Sequence, residues 1–175
     1  MMMLITGAAS SGKSEYAEEV MVKLNTGKKY YLATMHAYDD DGRERVKRHL
    51  ERRMGKGFTT IEQYTQIGSL ELVSDSSVLL ECLPNLLANE MYDLNGAKGH
   101  SVEQIFSDIR ALSERTKNMV IVSNDVFSDG VSYDEFSRNY IENLGILQQK
   151  IGAYADYVVE SVVGIPVYLK GEPLS

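Results

Sequence analysis

The sequence predicts an α/β fold: a mostly parallel sheet flanked by helices, with at least one antiparallel strand at an edge. Three observations carry that expectation. Short apolar runs at Met1 to Thr6, Tyr30 to Thr34, Ser77 to Glu81 and Met119 to Ser123 alternate with longer stretches whose apolar residues recur at helical spacing. The first of these runs passes straight into a glycine-bounded loop and then a helix. The chain closes on two β-rich runs, Tyr157 to Val163 and Ile165 to Lys170, hinged at Gly164.

Each element has its own justification. Gly7-Ala8-Ala9-Ser10-Ser11-Gly12-Lys13-Ser14 fits G-x-x-x-x-G-K-[ST], a loop whose backbone N–H groups converge on phosphate while the lysine adds a point charge and the serine a hydroxyl for Mg²⁺. Tyr16, Ala17, Val20, Met21 and Leu24 give the following helix one apolar face, and its positive end points at the same loop. Strand, helix, strand implies a right-handed parallel crossover to Tyr30 to Thr34. Asp39-Asp40-Asp41 then offers a cap and an acidic first turn for a helix reaching Met54, which Gly55-Lys56-Gly57 ends. Phe58 to Glu62 reads as a brief edge strand and Gly68 to Ser74 as a short helix. Leu83 to Tyr92 is helical, with Pro84 tolerated in the first turn. Ser101-Val102-Glu103-Gln104 has the spacing of a capping box for a helix with Val102, Ile105, Phe106, Ile109 and Leu112 inward. A polar loop at Ser128 to Asp134 leads to a long helix from about Tyr133 to Ala155.

Bulk properties bound the function. The 175 residues suit one domain spanning 1–175. A net charge of −7 argues against nucleic acid as the main partner, because backbone binding needs surplus Lys and Arg. Cys82 is the only cysteine, which excludes an internal disulfide or a cysteine-based zinc site and suits a reducing cytoplasm. No apolar run approaches the ~18 residues of a membrane span, and the first strand begins without a signal-peptide pattern.

Ligands of open α/β sheets collect beyond the carboxyl ends of the strands, which here means Thr34 to Tyr38, Glu81-Cys82 and Asn124-Asp125. A phosphate loop that works with Mg²⁺ needs a further carboxylate, and both Glu81 and Asp125 qualify. Glu81 is preferred, with Ser14, as the metal pair, since the run before it is a clean interior strand. On the second helix, Asp41, Arg45, His49, Arg52 and Arg53 fall at spacings of three or four. Neighbouring guanidinium groups would hold His49 neutral and nucleophilic while attracting a polyphosphate; the bland alternative is a solvated basic face. His36 also follows a strand, His100 lies in a loop, and Cys82 reads as a small buried apolar residue.

In order and spacing, these features resemble the bifunctional adenosylcobinamide kinase/adenosylcobinamide-phosphate guanylyltransferase family of cobalamin biosynthesis. Ile5 through Ser14, Tyr31-Leu32-Ala33-Thr34, Arg45-Val46 with His49, Leu79-Leu80-Glu81-Cys82, Val122-Ser123-Asn124-Asp125-Val126, Arg138-Asn139-Tyr140 and Gly164-Ile165-Pro166 carry the likeness. The chain departs from the pattern after the histidine. His49-Leu50-Glu51-Arg52-Arg53-Met54 lacks the usual proline and is one residue longer, and Phe58 stands where the family has Trp.

The resemblance implies a RecA-like sheet, a homotrimer, and a guanylylated His49 as a catalytic residue beside Lys13 and Ser14. It implies a nucleotide site of Gly7, Ala8, Ala9, Ser10, Ser11, Gly12, Lys13, Ser14, Ala33, Thr34, Met35, Leu50, Glu51, Arg52, Arg53, Glu62 and Glu81. The implied substrates are adenosylcobinamide with GTP and ATP, and Mg²⁺ is the implied cofactor. Two other readings fit the residues: a different small P-loop kinase without guanylyl transfer, or a nucleotide-binding subunit without turnover.

Overall fold

The computed structural model describes residues 1–24, 27–36, 40–125 and 133–174, apart from the side chains of Asp41, Arg43, Arg45, Val46, Arg48, His49 and Arg52. In chain order the elements are β1 (Met2–Thr6), α1 (Lys13–Lys23), β2 (Lys29–Ala33), α2 (Asp40–Arg53), β3 (Phe58–Glu62), β4 (Ser77–Leu80), α3 (Leu83–Tyr92), α4 (Ser101–Arg115), β5 (Asn118–Val122), α5 (Glu135–Tyr154), β6 (Tyr157–Val162) and β7 (Ile165–Lys170). Among the described residues the strands form one sheet in the order β3-β2-β4-β5-β1-β6-β7. Every pairing is parallel except β6 with β7. The expected mostly parallel sheet with an antiparallel edge is therefore what forms.

The strands read as continuous apolar runs because both faces of the sheet are covered. Alternate side chains go to opposite sides. Met3, Ile5, Tyr31, Leu79, Val120, Val122 and Val159 pack with Ala17, Val20 and Met21 of α1. Met2, Leu4, Tyr30, Leu32, Val78, Leu80, Met119 and Ile121 pack with α3, α4 and α5 through residues such as Leu86, Ile109 and Leu147. The two-residue turn of the terminal hairpin has Val163 at φ 47° and Gly164 at φ 83°, the pair of left-handed residues a tight hairpin of matching twist requires.

Two contacts position the site. Asn89 of α3 is buried and donates to the carbonyls of Thr34 (2.8 Å) and Tyr64 (3.0 Å), tying α3 to the chain just beyond the carboxyl ends of β2 and β3. Lys56, in the turn after α2, reaches the buried carboxylate of Glu18 on α1 at 2.6 Å, so the carboxyl end of α2 is pinned to the helix that follows the phosphate loop.

Two local expectations are corrected. Gly68 to Ser74 is not a helix; a single 3₁₀ turn, Ile67–Ser69, stands there and the chain then runs irregularly. Tertiary contacts hold that turn, with Ile67 fully buried, Gly68 pressed against Asp108 and Arg115 Nη2 donating to the Gly68 carbonyl. The capping box at Ser101 does not form, because a 3₁₀ turn, Lys98–His100, feeds directly into α4 and leaves Ser101 in helical conformation with His100 at the cap. At α5 the cap is Asp134, whose Oδ1 accepts from the Ser137 N–H at 2.7 Å. Hydrogen bonding by that N–H holds the Asp134 carboxyl below its ordinary range. Ser128 to Ser132 of the expected polar loop lie outside the described residues.

Candidate active site

The loop between β1 and α1 is shaped by backbone handedness. Ser10 at φ 58° and Gly12 at φ 88° flank Ser11, and such alternation turns consecutive N–H groups into an anion-binding concavity. Gly7, at φ 152°, opens the loop where no side chain fits: a Cβ there would lie 2.7 Å from the Ser161 carbonyl and 2.6 Å from Ser11 Oγ. The far end of the chain braces this loop. The Ser11 carbonyl accepts from the Ser161 hydroxyl (2.7 Å) and from the Gly164 N–H (2.9 Å), so the β6–β7 hairpin seats against it. Gly12 caps α1, and Lys13 and Ser14 begin its first turn.

A cavity of about 590 Å³ opens over the loop, within the range of small-molecule sites. Ala9, Ser10, Lys13 and Ser14 line it from the loop, Ala33 and Met35 from the end of β2, and Leu50 and Arg53 from α2. Thr60, Glu62, Glu81, Cys82, Asn85, Val122 and Asn124 complete the wall. Gly7, Ala8, Ser11 and Gly12 form the loop behind that wall. Thr34 is fully buried beside it, its N–H donating to Glu81 Oε1 at 3.3 Å and its hydroxyl to the Cys82 carbonyl at 3.0 Å. Glu51 is exposed and does not line the cavity. The side chains of His49 and Arg52 lie outside the described residues, as do those of Asp41 and Arg45; the His49 backbone is helical, one turn before Arg53.

The electrostatics of the wall favour an anion. Lys13 Nζ donates to the Ala8 carbonyl at 2.9 Å, and burial lowers its pKa below the ordinary 10.5. The Arg53 guanidinium stacks 3.4 Å above the Tyr31 ring, and Nη2 donates to Thr60 Oγ1 at 3.4 Å. Its Nε and Nη1 are buried without a hydrogen-bond partner among the described residues. Buried donors of a cation are costly to leave unpaired, which is what a phosphate oxygen would remedy. Of the two strand-end acids, Glu81 lines the cavity and accepts a hydrogen bond from Tyr31. Asp125 does not line it, and its N–H donates to the Gly7 carbonyl at 3.0 Å. Glu81, just past the end of β4, and Ser14, in the first turn of α1, line the same cavity. Their hydroxyl and carboxylate are hard oxygen donors, the type Mg²⁺ prefers.

Other candidates fall elsewhere. His36 stacks on Tyr64 with ring centroids 3.8 Å apart and bonds Asp93 at 3.0 Å, lining a neighbouring cavity that shares only Glu62 with the first. His100 sits in the exposed turn before α4. Burial pushes the Cys82 thiol up to about 11, so it carries no thiolate at neutral pH. Asn85, Thr60 and Tyr31 are the residues that sequence reasoning passes over. Asn85 falls in the first turn of the helix after Glu81, the one positional hint available; the other two look like ordinary strand residues.

A loop of this shape at the head of a parallel sheet, opening on a cavity with buried cationic donors and the strand-end acid Glu81, places the chain among P-loop nucleotide-binding proteins. The fold agrees with that class: an ATPase from the type III secretion system of pathogenic bacteria superposes with a TM-score of 0.57 at 10% identity, over 95% of this chain and 56% of that one. Sequence narrows the class. A family model described as cobinamide kinase / cobinamide phosphate guanyltransferase matches residues 3–169, and the chain belongs to that family. It is 29% identical over 184 residues to the bifunctional adenosylcobalamin biosynthesis protein CobU of Salmonella typhimurium, covering 97% of this chain and all of the relative. The bifunctional adenosylcobalamin biosynthesis protein CobP of Pseudomonas aeruginosa is 30% identical over 178 residues, covering 98% of each.

Proposed function

We propose that the protein, as a single nucleotide-binding unit, carries out two reactions of cobalamin biosynthesis at the cavity over its phosphate loop. It phosphorylates adenosylcobinamide with a nucleoside triphosphate, then transfers GMP from GTP through His49 to give adenosylcobinamide-GDP. The observation that carries this reading is the composition of the cavity wall. Leu50 and Arg53, on the helix that bears His49, face the same space as Lys13 and Ser14. A nucleophile on α2 and a triphosphate on the loop would then share one chamber.

In the kinase step the substrate hydroxyl on the aminopropanol arm attacks the γ-phosphorus, the β–γ bridging oxygen leaves with the nucleoside diphosphate, and the hydroxyl proton passes to solvent water. Lys13 and the loop N–H groups hold the phosphates in line and stabilise the charge that gathers on them. Mg²⁺, held by Ser14 Oγ and Glu81, would neutralise further charge on the same oxygens when bound. In the transferase step a neutral His49 nitrogen attacks the α-phosphorus of GTP and pyrophosphate leaves. An oxygen of the cobinamide phosphate then displaces histidine from the phosphoramidate, a double displacement. Arg53, whose Nε and Nη1 have no partner among the described residues, would bind a phosphate through both.

The reading extends to assembly and compartment. Ile165, Val167 and Leu169 expose an apolar row along the edge strand β7, which supports a homo-oligomer, a trimer in this family by the sequence resemblance. Cys82 is a free thiol, in keeping with the cytoplasm, and among the described residues no helix is long and apolar enough to cross a membrane.

Intact-mass spectrometry after incubation with GTP and Mg²⁺ tests the central step. One GMP-sized adduct is expected on the unmodified protein and none on His49→Ala, which should still phosphorylate adenosylcobinamide with ATP. An adduct that persists in His49→Ala would refute the assignment.

A further inference from the structure

We propose that Tyr31 is a positioning residue of this site: its ring fixes the Arg53 guanidinium and its hydroxyl fixes the Glu81 carboxylate. One side chain thereby sets the cationic wall against the acidic one. The inference rests on the nucleotide reading of the cavity and assigns a role to a residue that does not line it.

Strand register explains how a core residue reaches both walls. Tyr31 on β2 pairs with Thr60 on β3 and with Leu79 on β4, so the three side chains form a row on one face of the sheet. Glu81 lies two residues beyond Leu79, on the same face and one pleat nearer the cavity, within reach of a phenol but of no shorter side chain at position 31. Arg53 comes down from α2 across this row. It stacks on the Tyr31 ring at 3.4 Å and donates to Thr60, Tyr31's own neighbour. Only 2% of Tyr31 is exposed, and Phe58 packs edge-on against its ring at 6.1 Å, so the platform has no freedom to tilt. Among the described residues the ring holds the guanidinium plane and Thr60 one nitrogen, while Nε and Nη1 have no hydrogen-bond partner. Burial, foremost, and the Glu81 carboxylate raise the phenol pKa, so the hydroxyl remains a donor at any working pH.

The two contacts separate by mutation. Tyr31→Phe keeps the ring and loses the donor; Tyr31→Leu loses both. With the full-length protein, Tyr31→Phe should bind GTP within about threefold of the unmodified protein, yet need about tenfold more Mg²⁺ for half-maximal phosphorylation of adenosylcobinamide, the effect of one charge-assisted hydrogen bond. In a Glu81→Gln background, where the carboxylate to be positioned is already gone, Tyr31→Phe should bring little further change in that Mg²⁺ requirement. Tyr31→Leu should weaken GTP binding about tenfold, and less than additively with Arg53→Ala. General damage to the fold would move both readouts in both variants; the split between Mg²⁺ requirement and nucleotide affinity is what positioning predicts. Unaltered Mg²⁺ dependence in Tyr31→Phe, or additive losses in both pairs, would overturn the inference while leaving the nucleotide site standing. Failure of the unmodified protein to bind GTP or ATP with Mg²⁺ would overturn both.

Discussion

Replacing Gly7 by alanine tests how the phosphate loop is seated, and Gly164→Ala is its matched control. Both glycines have positive φ, 152° and 83°, so each substitution carries backbone strain. For alanine that is of the order of 1–2 kcal/mol at Gly164 and about 1–3 kcal/mol at Gly7. They differ in surroundings. A Cβ at Gly164 meets nothing within 4 Å, whereas one at Gly7 lies 2.7 Å from the Ser161 backbone carbonyl and 2.6 Å from Ser11 Oγ. Ser11 Oγ can swing aside; a strand carbonyl cannot, and overpacking of that kind adds about 1–3 kcal/mol. Gly7→Ala should therefore cost about 4 kcal/mol and Gly164→Ala about 1.5 kcal/mol. For a chain of this length that lowers Tm by about 8–16 °C and 3–6 °C respectively. Calorimetry gives both values, and GTP titration should show the larger affinity loss in Gly7→Ala. Equal Tm losses would refute the reasoning, since they would mean that the Ser161 carbonyl does not confine the loop.

Lys56→Ala should destabilise by about 3–5 kcal/mol, because it strands the Glu18 carboxylate, whose side chain is only 4% exposed; Glu18→Leu with Lys56→Met should cost less than that single change. Urea denaturation of the two variants checks this, and a double variant at least as damaged as the single one would contradict it. The Cys82 thiol, pushed by burial to about 11 from an ordinary 9.0, keeps a proton that the unfolded chain has already released between those values. Its contribution to stability is therefore complete below pH 9 and lost as pH climbs toward 11. In Cys82→Ala the fall in Tm over that interval should be shallower; an unchanged slope would show that the thiol does not titrate as described.

The parts of the site that are legible in sequence are those whose chemistry forces a local signature. The phosphate loop needs glycine at its two ends, where φ is 152° and 88°, and a lysine after the second, so Gly7, Gly12 and Lys13 announce themselves. Glu81 is visible because an acid ending an interior strand interrupts an otherwise apolar run. The hairpin is visible because Gly164 stands alone between two β-rich runs. Tyr31 and Thr60 carry no such mark: they matter through parallel register with strands distant in sequence, and either would be read as ordinary filling of a sheet. The unformed capping box at Ser101 shows the converse, a sound four-residue pattern overruled by the 3₁₀ turn that delivers the chain into α4. Asn89 is equally silent, since its two backbone acceptors belong to segments that only the folded sheet brings together.

The doubly bonded Ser11 carbonyl has a consequence for the order in which the protein matures. Its Ser161 donor lies 150 residues downstream, so a growing chain emerging from the ribosome displays the whole glycine–lysine loop long before either clasp exists. Both hydrogen bonds to the Ser11 carbonyl are thus closed only once the final two strands are made, with the hairpin acting as the latch.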